Sequence, residues 1–242
     1  MNAANLPDDR DKASAVQRMF GAIAPRYDLL NHLLSLNIDR RWRRRAVDAL
    51  LQAGPSSGRF LDLCAGTFDL ARELARRPAF DGVVVGSDFA FPMLARGASK
   101  IRNDEVLPAC ADALHLPFPE GGFDGAMVAF GVRNLADLDA GLREVARVLR
   151  PGGHFVVLEF SVPARQPLRA LYLTYFTGIL PRLGRVVSRH ASAYAYLPAS
   201  VLEFPAPADL AARMEQAGFR DVRWQTLTGG IAAVHVGTAE RP

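Results

Sequence analysis

Cysteine is scarce: Cys64 and Cys110 are the only two in 242 residues. They are far apart and show no CxxC or Cys/His spacing, which excludes a disulfide scaffold and a zinc-ribbon type of site. Both thiols are expected to be buried, and no metal is expected. Lysine is equally scarce, Lys12 and Lys100 being the only two, so 27 of the 29 basic residues are arginine. Long apolar runs are missing as well, since none reaches the roughly 18 uncharged residues that a membrane-spanning helix needs. The first residues, MNAANLPDDRDKASAV, carry acids and no apolar stretch, which argues against a secretory leader. A cytosolic protein is expected.

What is present suits a folded core. Hydrophobic residues make up 50% and charged residues 22%, so neither a disordered nor a collagen-like chain is indicated. The length fits one large α/β domain better than two ordinary ones. The net charge of +4 is unevenly spread: Asp39 to Arg45 reads DRRWRRR, while Ser161 to Leu202 holds Arg165, Arg169, Arg182, Arg185 and Arg189 and no acid. Two readings stay open for these segments, contact with phosphates or anionic lipid, and a solvated helix face.

Ala13 to Phe20 reads as a short helix in a polar lead-in that Pro25 interrupts. From Asp39, taken as an N-cap, Trp42, Ala46, Val47, Leu50 and Leu51 recur at helical spacing until Gly54-Pro55 stops them. Short apolar runs then alternate with helical stretches, the pattern of βαβ units on a parallel sheet. Strands are predicted at Arg59–Cys64, Val83–Ser87, Glu105–Ala111, Phe123–Phe130 and His154–Phe160, with helices at Phe68–Arg77, Phe91–Ile101 and Leu135–Leu149. Arg150-Pro151-Gly152-Gly153 is expected to turn the chain into the fifth strand. Ser161 to Leu202, apolar and basic with scattered Pro and Gly, reads as an inserted helical cap. A helix at Pro207–Ala217 and strands near Phe219–Leu227 and Ile231–Thr238 close the sheet. The parts are a lead-in (1–57), a core (58–160), a cap (161–206) and a closing unit (207–242) of a single domain.

Ligands of open parallel sheets bind beyond the carboxyl ends of the strands, and three successive predicted strand ends here carry an aspartate. The first reads LDLCAGTFD, with Asp62 near the strand end and Gly66-Thr67 in the turn. A dinucleotide fingerprint G-x-G-x-x-G would need glycines at positions 68 and 71, where Phe68 and Ala71 stand, so a nicotinamide cofactor is disfavoured. An acid before a glycine turn suits instead a cofactor with an ammonium group, such as S-adenosylmethionine. Gly66 lets the backbone approach such a ligand, and Thr67 offers a hydroxyl and an N–H. The second strand ends in Gly86-Ser87-Asp88-Phe89, where Asp88 lies 22 residues after Gly66, near the offset at which an acid meets a ribose. The third ends in Ala111-Asp112-Ala113, an acid suited to an adenine amino group.

With these residues in view, the chain resembles the class I S-adenosylmethionine-dependent methyltransferases, and within them the ubiquinone/menaquinone C-methyltransferase family. The similar pieces span nearly the whole chain: MFGAIAPRYDLLNHLLSLNIDRRWRR, LDLCAGTFDLA, LPFPEGGFD, FGVRNLADLDAGLREVARVLRPGGHFVVLEFS, AYAYLPASVLEFP and LTGGIAAVHVG. GGFD and RVLRPGG are general to the superfamily, whereas FGVRN, RYDLLN and YLPASV with LTGGI are specific. The resemblance implies a Rossmann-like, mostly parallel seven-stranded sheet flanked by helices, with N-terminal helices and an inserted cap. It implies Asp62, Gly66 and Thr67 on the methionine part of the cofactor, Asp88 with neighbouring Phe89 on the ribose, and Asp112 with Ala113 on the adenine. One residue departs from the family pattern: Phe68 stands where the family has glycine. A bulky residue there is expected to take a negative φ or to point away from the ligand.

The resemblance further implies methyl transfer to a ring carbon of a polyprenyl quinol, demethylmenaquinol being favoured over the methoxy-benzoquinol of ubiquinone biosynthesis. Arg133 and Asn134 are candidates for positioning the quinol oxygen, with Arg133 a stabiliser of phenolate because arginine is a poor base. A structural salt bridge is the alternative role for Arg133. Tyr27 and Asp28 are candidates to close over the cofactor, and His32, His190 and Tyr194 are open as proton acceptors. His154 is expected on the opposite rim. The stretch Leu171 to Leu180 reads either as an isoprenoid channel or as the cap's own core, and peripheral contact with an anionic membrane is expected. Methylation of another lipophilic phenol and a non-catalytic cofactor-binding assembly role are rival readings; nucleic acid is not expected as a partner, and no oligomeric state is assigned.

Overall fold

The computed structural model describes residues 9–24, 35, 37–101, 106–179 and 191–240. Tyr27, Asp28, His32, Glu105 and His190 lie outside the described residues, as does the side chain of Tyr194.

The elements run α1 (Asp9–Ile23), α2 (Ile38–Ala53), β1 (Ser57–Leu63), α3 (Asp69–Ala75), β2 (Asp81–Asp88), α4 (Phe91–Ala98), β3 (Val106–Cys110), β4 (Phe123–Ala129), α5 (Leu138–Val148), β5 (Leu149–Phe160), α6 (Leu168–Leu173), α7 (Ala191–Glu203), α8 (Pro207–Gln216), β6 (Phe219–Leu227) and β7 (Ala232–Ala239). The strands form one seven-stranded sheet in the order β3-β2-β1-β4-β5-β7-β6. The first five are parallel, and β7 and β6 are antiparallel to their neighbours. Both faces are covered, one by a cluster built on Trp42, Leu50, Phe60 and Leu74, the other by one built on Leu142, Val145, Phe155 and Phe219. That is why the central strands read as near-continuous apolar runs rather than alternating ones.

Several predicted boundaries shift for local reasons. Asn37, in the left-handed region at φ 59°, is the N-cap of α2. Asp39 instead sits buried in the first turn, where it accepts from Ser35 Oγ and pairs with Arg43. The predicted helix from Leu135 starts later because Asp137 caps α5 by accepting from Ala140 N–H at 2.9 Å. Val132–Asn134 form a separate 3-10 turn. Arg150 to Gly153 lie inside β5 as a bulged lead, with Gly152 at φ 80°. The thiols differ from expectation, Cys64 being half-buried and Cys110 exposed. Among the described residues no helix is long and apolar enough to cross a membrane, and no group of His, Cys, Asp or Glu could hold a metal.

The sheet order reverses between β1 and β4, since β1 leads outward to β2 on one side while β4 lies on the other. Such a switch point leaves a crevice at the carboxyl ends of the strands. His154 pairs with Gly125 near the start of β4, on the opposite rim, and its Nδ1 meets Thr238 Oγ1 at 3.2 Å.

Candidate active site

The turn from β1 into α3 holds three left-handed residues, Cys64 (φ 53°), Gly66 (φ 54°) and Phe68 (φ 65°). Of these only Gly66 takes the conformation without steric cost. Phe68 therefore keeps the positive φ that its bulk disfavours, and its ring turns away from the crevice to be fully buried. The space comes from two glycines: a methyl on Gly86 of β2 or on Gly97 of α4 would lie 2.5 Å from a carbon of this ring. Beneath the turn, Asp62 accepts from Ala71 N–H at 2.9 Å and is 1% exposed. Burial pushes its carboxyl up to about 8, against the opposing pull of the Ala71 hydrogen bond and the Arg43 charge. The Thr67 hydroxyl accepts from Lys100 Nζ at 2.9 Å.

At the end of β2, Asp88 accepts from Gly66 N–H through one oxygen and from Ala90 N–H through the other, both at 2.8 Å. These bonds fix the carboxylate while leaving each oxygen a further lone pair; desolvation nonetheless raises its proton affinity. The Asp112 side chain, by contrast, stands on the rim half exposed, with one oxygen accepting from Leu114 N–H at 2.9 Å. Between these groups opens a cleft that is partly open to solvent. Gly66, Asp88, Phe89, Asp112, Ala113 and Asn134 all line it, whereas Asp62, Thr67 and Arg133 lie outside its wall. Gly131 closes the far side, where a methyl would lie 2.5 Å from Cys64 Cβ. Phe20 of the lead-in helix α1 also lines the cleft, and Gln17 Nε2 donates to the Phe89 carbonyl at 2.8 Å. Sequence reasoning missed both, because nothing local in α1 shows which element it covers.

The loop after β4 joins this cleft to the helical segment above it. Arg133 is buried against Glu159 at the end of β5, with Nη1 2.9 Å from Oε1. It also donates to the Phe130 carbonyl and lies over the Phe160 ring, 5.4 Å from its centroid. Burial raises the Glu159 carboxyl's proton affinity, while the Arg133 charge and the N–H groups of Phe160 and Arg133 oppose this. The rule that found three strand-end aspartates applies equally to Glu159, a lone acid in VVLEF. The residues Tyr172, Phe176 and Val201 form a separate cluster that also touches Phe160, so the aromatic stretch supplies core to its own segment, while Leu171 is exposed.

Orphaned polar atoms mark this region. Among the described residues, the hydroxyl of Ser87, a residue lining the cleft, is buried without a hydrogen-bond partner, and so are Arg133 Nε, Asn134 Oδ1, Tyr172 Oη and Tyr196 Oη. Buried groups of this kind are uncommon unless a ligand or water completes them.

The model of the ubiE/COQ5 methyltransferase family matches residues 8–239. This chain belongs to that family. Among its relatives, the demethylmenaquinone methyltransferase of Thermus thermophilus is 53% identical over 93% of this chain and 100% of its own length. That of Deinococcus radiodurans is 48% identical over 98% and 99%. The ubiquinone/menaquinone biosynthesis C-methyltransferase UbiE of a Geobacter species is 47% identical over 94% and 97%. Among solved structures, an S-adenosylmethionine-dependent methyltransferase from Thermotoga maritima matches at TM-score 0.64, with 20% identity and 92% and 99% of the two chains covered. The cyclase SpnF also matches, at TM-score 0.60 with 18% identity, covering 82% and 81%. A cyclase on the same scaffold shows that fold alone does not set the reaction; family membership does, and this ubiE/COQ5 member is a methyltransferase enzyme.

Proposed function

We propose that this family member methylates a ring carbon of a polyprenyl quinol, converting demethylmenaquinol to menaquinol. The observation that carries the reading is 53% identity over the full length of a relative named demethylmenaquinone methyltransferase. The relatives named for both ubiquinone and menaquinone biosynthesis support the methoxy-benzoquinol as the second substrate to test.

S-adenosylmethionine is the methyl donor, and the cleft suits it: a fixed buried carboxylate at Asp88, an orphaned hydroxyl at Ser87 and a rim acid at Asp112 face one space. Asp88 and Phe89 hold the ribose, Asp112 and Ala113 the adenine, and Gly66 the methionine backbone, with Asp62 and Thr67 shaping the turn beneath the ammonium. Bound there, the cofactor supplies a methyl group on a cationic sulfonium, an electrophile for the ring carbon. The chain's own task is to make that carbon nucleophilic. Loss of a phenolic proton pushes electron density onto the ring, and Arg133, a hydrogen-bond donor with no acceptor atom, stabilises the phenolate rather than making it. Asn134 orients the same oxygen from the cleft wall, and Glu159 holds Arg133 in place. The exposed arginines of α2 and of the segment after β5 hold the enzyme at an anionic membrane, where a polyprenyl quinol resides.

Purified protein, S-adenosylmethionine and equal amounts of reduced short-tailed demethylmenaquinol and methoxy-benzoquinol test the reading by mass spectrometry. Methylated demethylmenaquinol is the expected product. Methylation of the benzoquinol alone reassigns the ring, and methylation of neither overturns the reading.

A further inference from the structure

A second groove lies apart from the cofactor cleft, between α2 and the edge strand β6. Arg45 and Ala49 line it from α2, and Arg223 and Trp224 from β6. Its apolar lining comes from Leu227 of β6 and from Val234 and Val236 of β7, which belong to the same core cluster as Trp42 and Leu50. Asp48, the acid on its wall, is taken by Arg77 at 2.9 Å. Arg45 and Arg223 are exposed and, among the described residues, have neither an ion-pair nor a hydrogen-bond partner. Trp224 is 45% exposed, although the chain's other tryptophan, Trp42, is buried and donates to Thr228 Oγ1. Leu227 pairs with Ala232, and Ala232 with Phe160 at the end of β5, so one end of the groove reaches the rim at which the cofactor cleft opens.

Two unpaired guanidiniums on an apolar groove suit an anion that also carries hydrocarbon. A free phosphate would pair the arginines and leave Trp224 and Leu227 in water. A phospholipid satisfies both: the guanidiniums take its phosphate, the apolar lining takes part of a chain, and the indole sits at headgroup level, where tryptophan is favoured. The surrounding surface has the same sign, since Arg40, Arg41 and Arg44 are exposed on α2, and this favours a headgroup with net negative charge. A second copy of the chain is the poorer occupant, because a bulge between Arg220 and Arg223 and the charges there blunt pairing along the β6 edge. We propose that the groove between α2 and β6 holds an anionic phospholipid, with its phosphate on Arg45 and Arg223, and that the enzyme docks on the bilayer through this groove.

This inference rests on the membrane contact proposed above. Because Trp42 is buried, a shift of tryptophan emission on vesicle binding reads Trp224. The test titrates the unmodified protein with phosphatidylglycerol or phosphatidylcholine vesicles at low ionic strength, and compares the double variants Arg45→Gln/Arg223→Gln and Arg40→Gln/Arg41→Gln. The second pair removes the same charge from residues that do not line the groove. A blue shift is expected with phosphatidylglycerol and not with phosphatidylcholine. The groove pair should raise the lipid concentration for half-binding about tenfold or more, and the control pair less than about threefold. Both variants should keep the Tm of the unmodified protein, since the changed side chains are exposed. Should the groove variant fail to fold, the unmodified protein decides: vesicle flotation without a blue shift overturns the inference. Equal weakening by the two pairs also overturns it, and leaves the membrane contact standing. No flotation at all fails the membrane reading and this inference with it. A shift produced by inorganic phosphate alone, or by a short oligonucleotide at lower concentration than the vesicles, assigns the groove to a soluble anion or a nucleic acid and overturns the phospholipid.

Discussion

Asp62 keeps a proton that an ordinary aspartate has lost by neutral pH. Its carboxyl is pushed up to about 8 by burial under the first turn, with Arg43 and the Ala71 N–H opposing. The folded protein therefore binds this proton more tightly than the unfolded chain, whose aspartates titrate near about 3.9. The associated stabilisation is full below about pH 4 and is lost as pH rises through about 8, at a slope of up to about 1.4 kcal/mol per pH unit. The variant Asp62→Asn, measured by thermal unfolding of the cofactor-free protein between pH 5 and 8, should show a flatter profile than the unmodified chain. Equal slopes would mean the carboxyl is already ionised. The residue itself was legible as a strand-end acid; its protonation was not, because that depends on what covers it.

Phe68 belongs to the scale of elements, since its ring is a seam between β2 and α4 made possible by Gly86 and Gly97. Read from the sequence, it was expected to take a negative φ or point away from the ligand. The structure keeps φ at 65° and points the ring away. Deleting a fully buried Phe costs about 3–5 kcal/mol, and relief of the left-handed backbone returns about 1–2 kcal/mol. Phe68→Gly should therefore lose about 1–4 kcal/mol in urea unfolding. Affinity for S-adenosylmethionine should change less than about threefold, because the removed atoms do not line the cleft; a tenfold loss would show that the ring shapes the turn. Element order and type were readable from alternating apolar runs and turn residues. Two things were not: the docking of α1 over the cleft and the pairing of Arg133 with Glu159, which joins residues 26 apart.

At the scale of the whole molecule, charge distribution matters more than its sum. Arg40, Arg41, Arg44 and Arg45 are exposed on α2, while Arg43, from the same run, turns inward to Asp39. Arg165 and Arg169 are exposed after β5. These arginines should float the protein with vesicles containing anionic lipid at low ionic strength and release it as salt shortens the Debye length to about 10 Å near 0.1 M. No flotation at low salt would remove the proposed membrane contact. Much of this protein was determined by sequence alone: the alternation of strands and helices, the three strand-end aspartates and the motifs that mark the family are all local patterns. The tertiary structure decided what depends on residues meeting across the fold. It set which arginine of DRRWRRR is buried, how Phe68 keeps a positive φ, and that Arg133 pairs with Glu159. The physical reason is that periodicity and turn chemistry act over a few residues, whereas desolvation and hydrogen-bond pairing depend on neighbours brought together only when the sheet and its helices close.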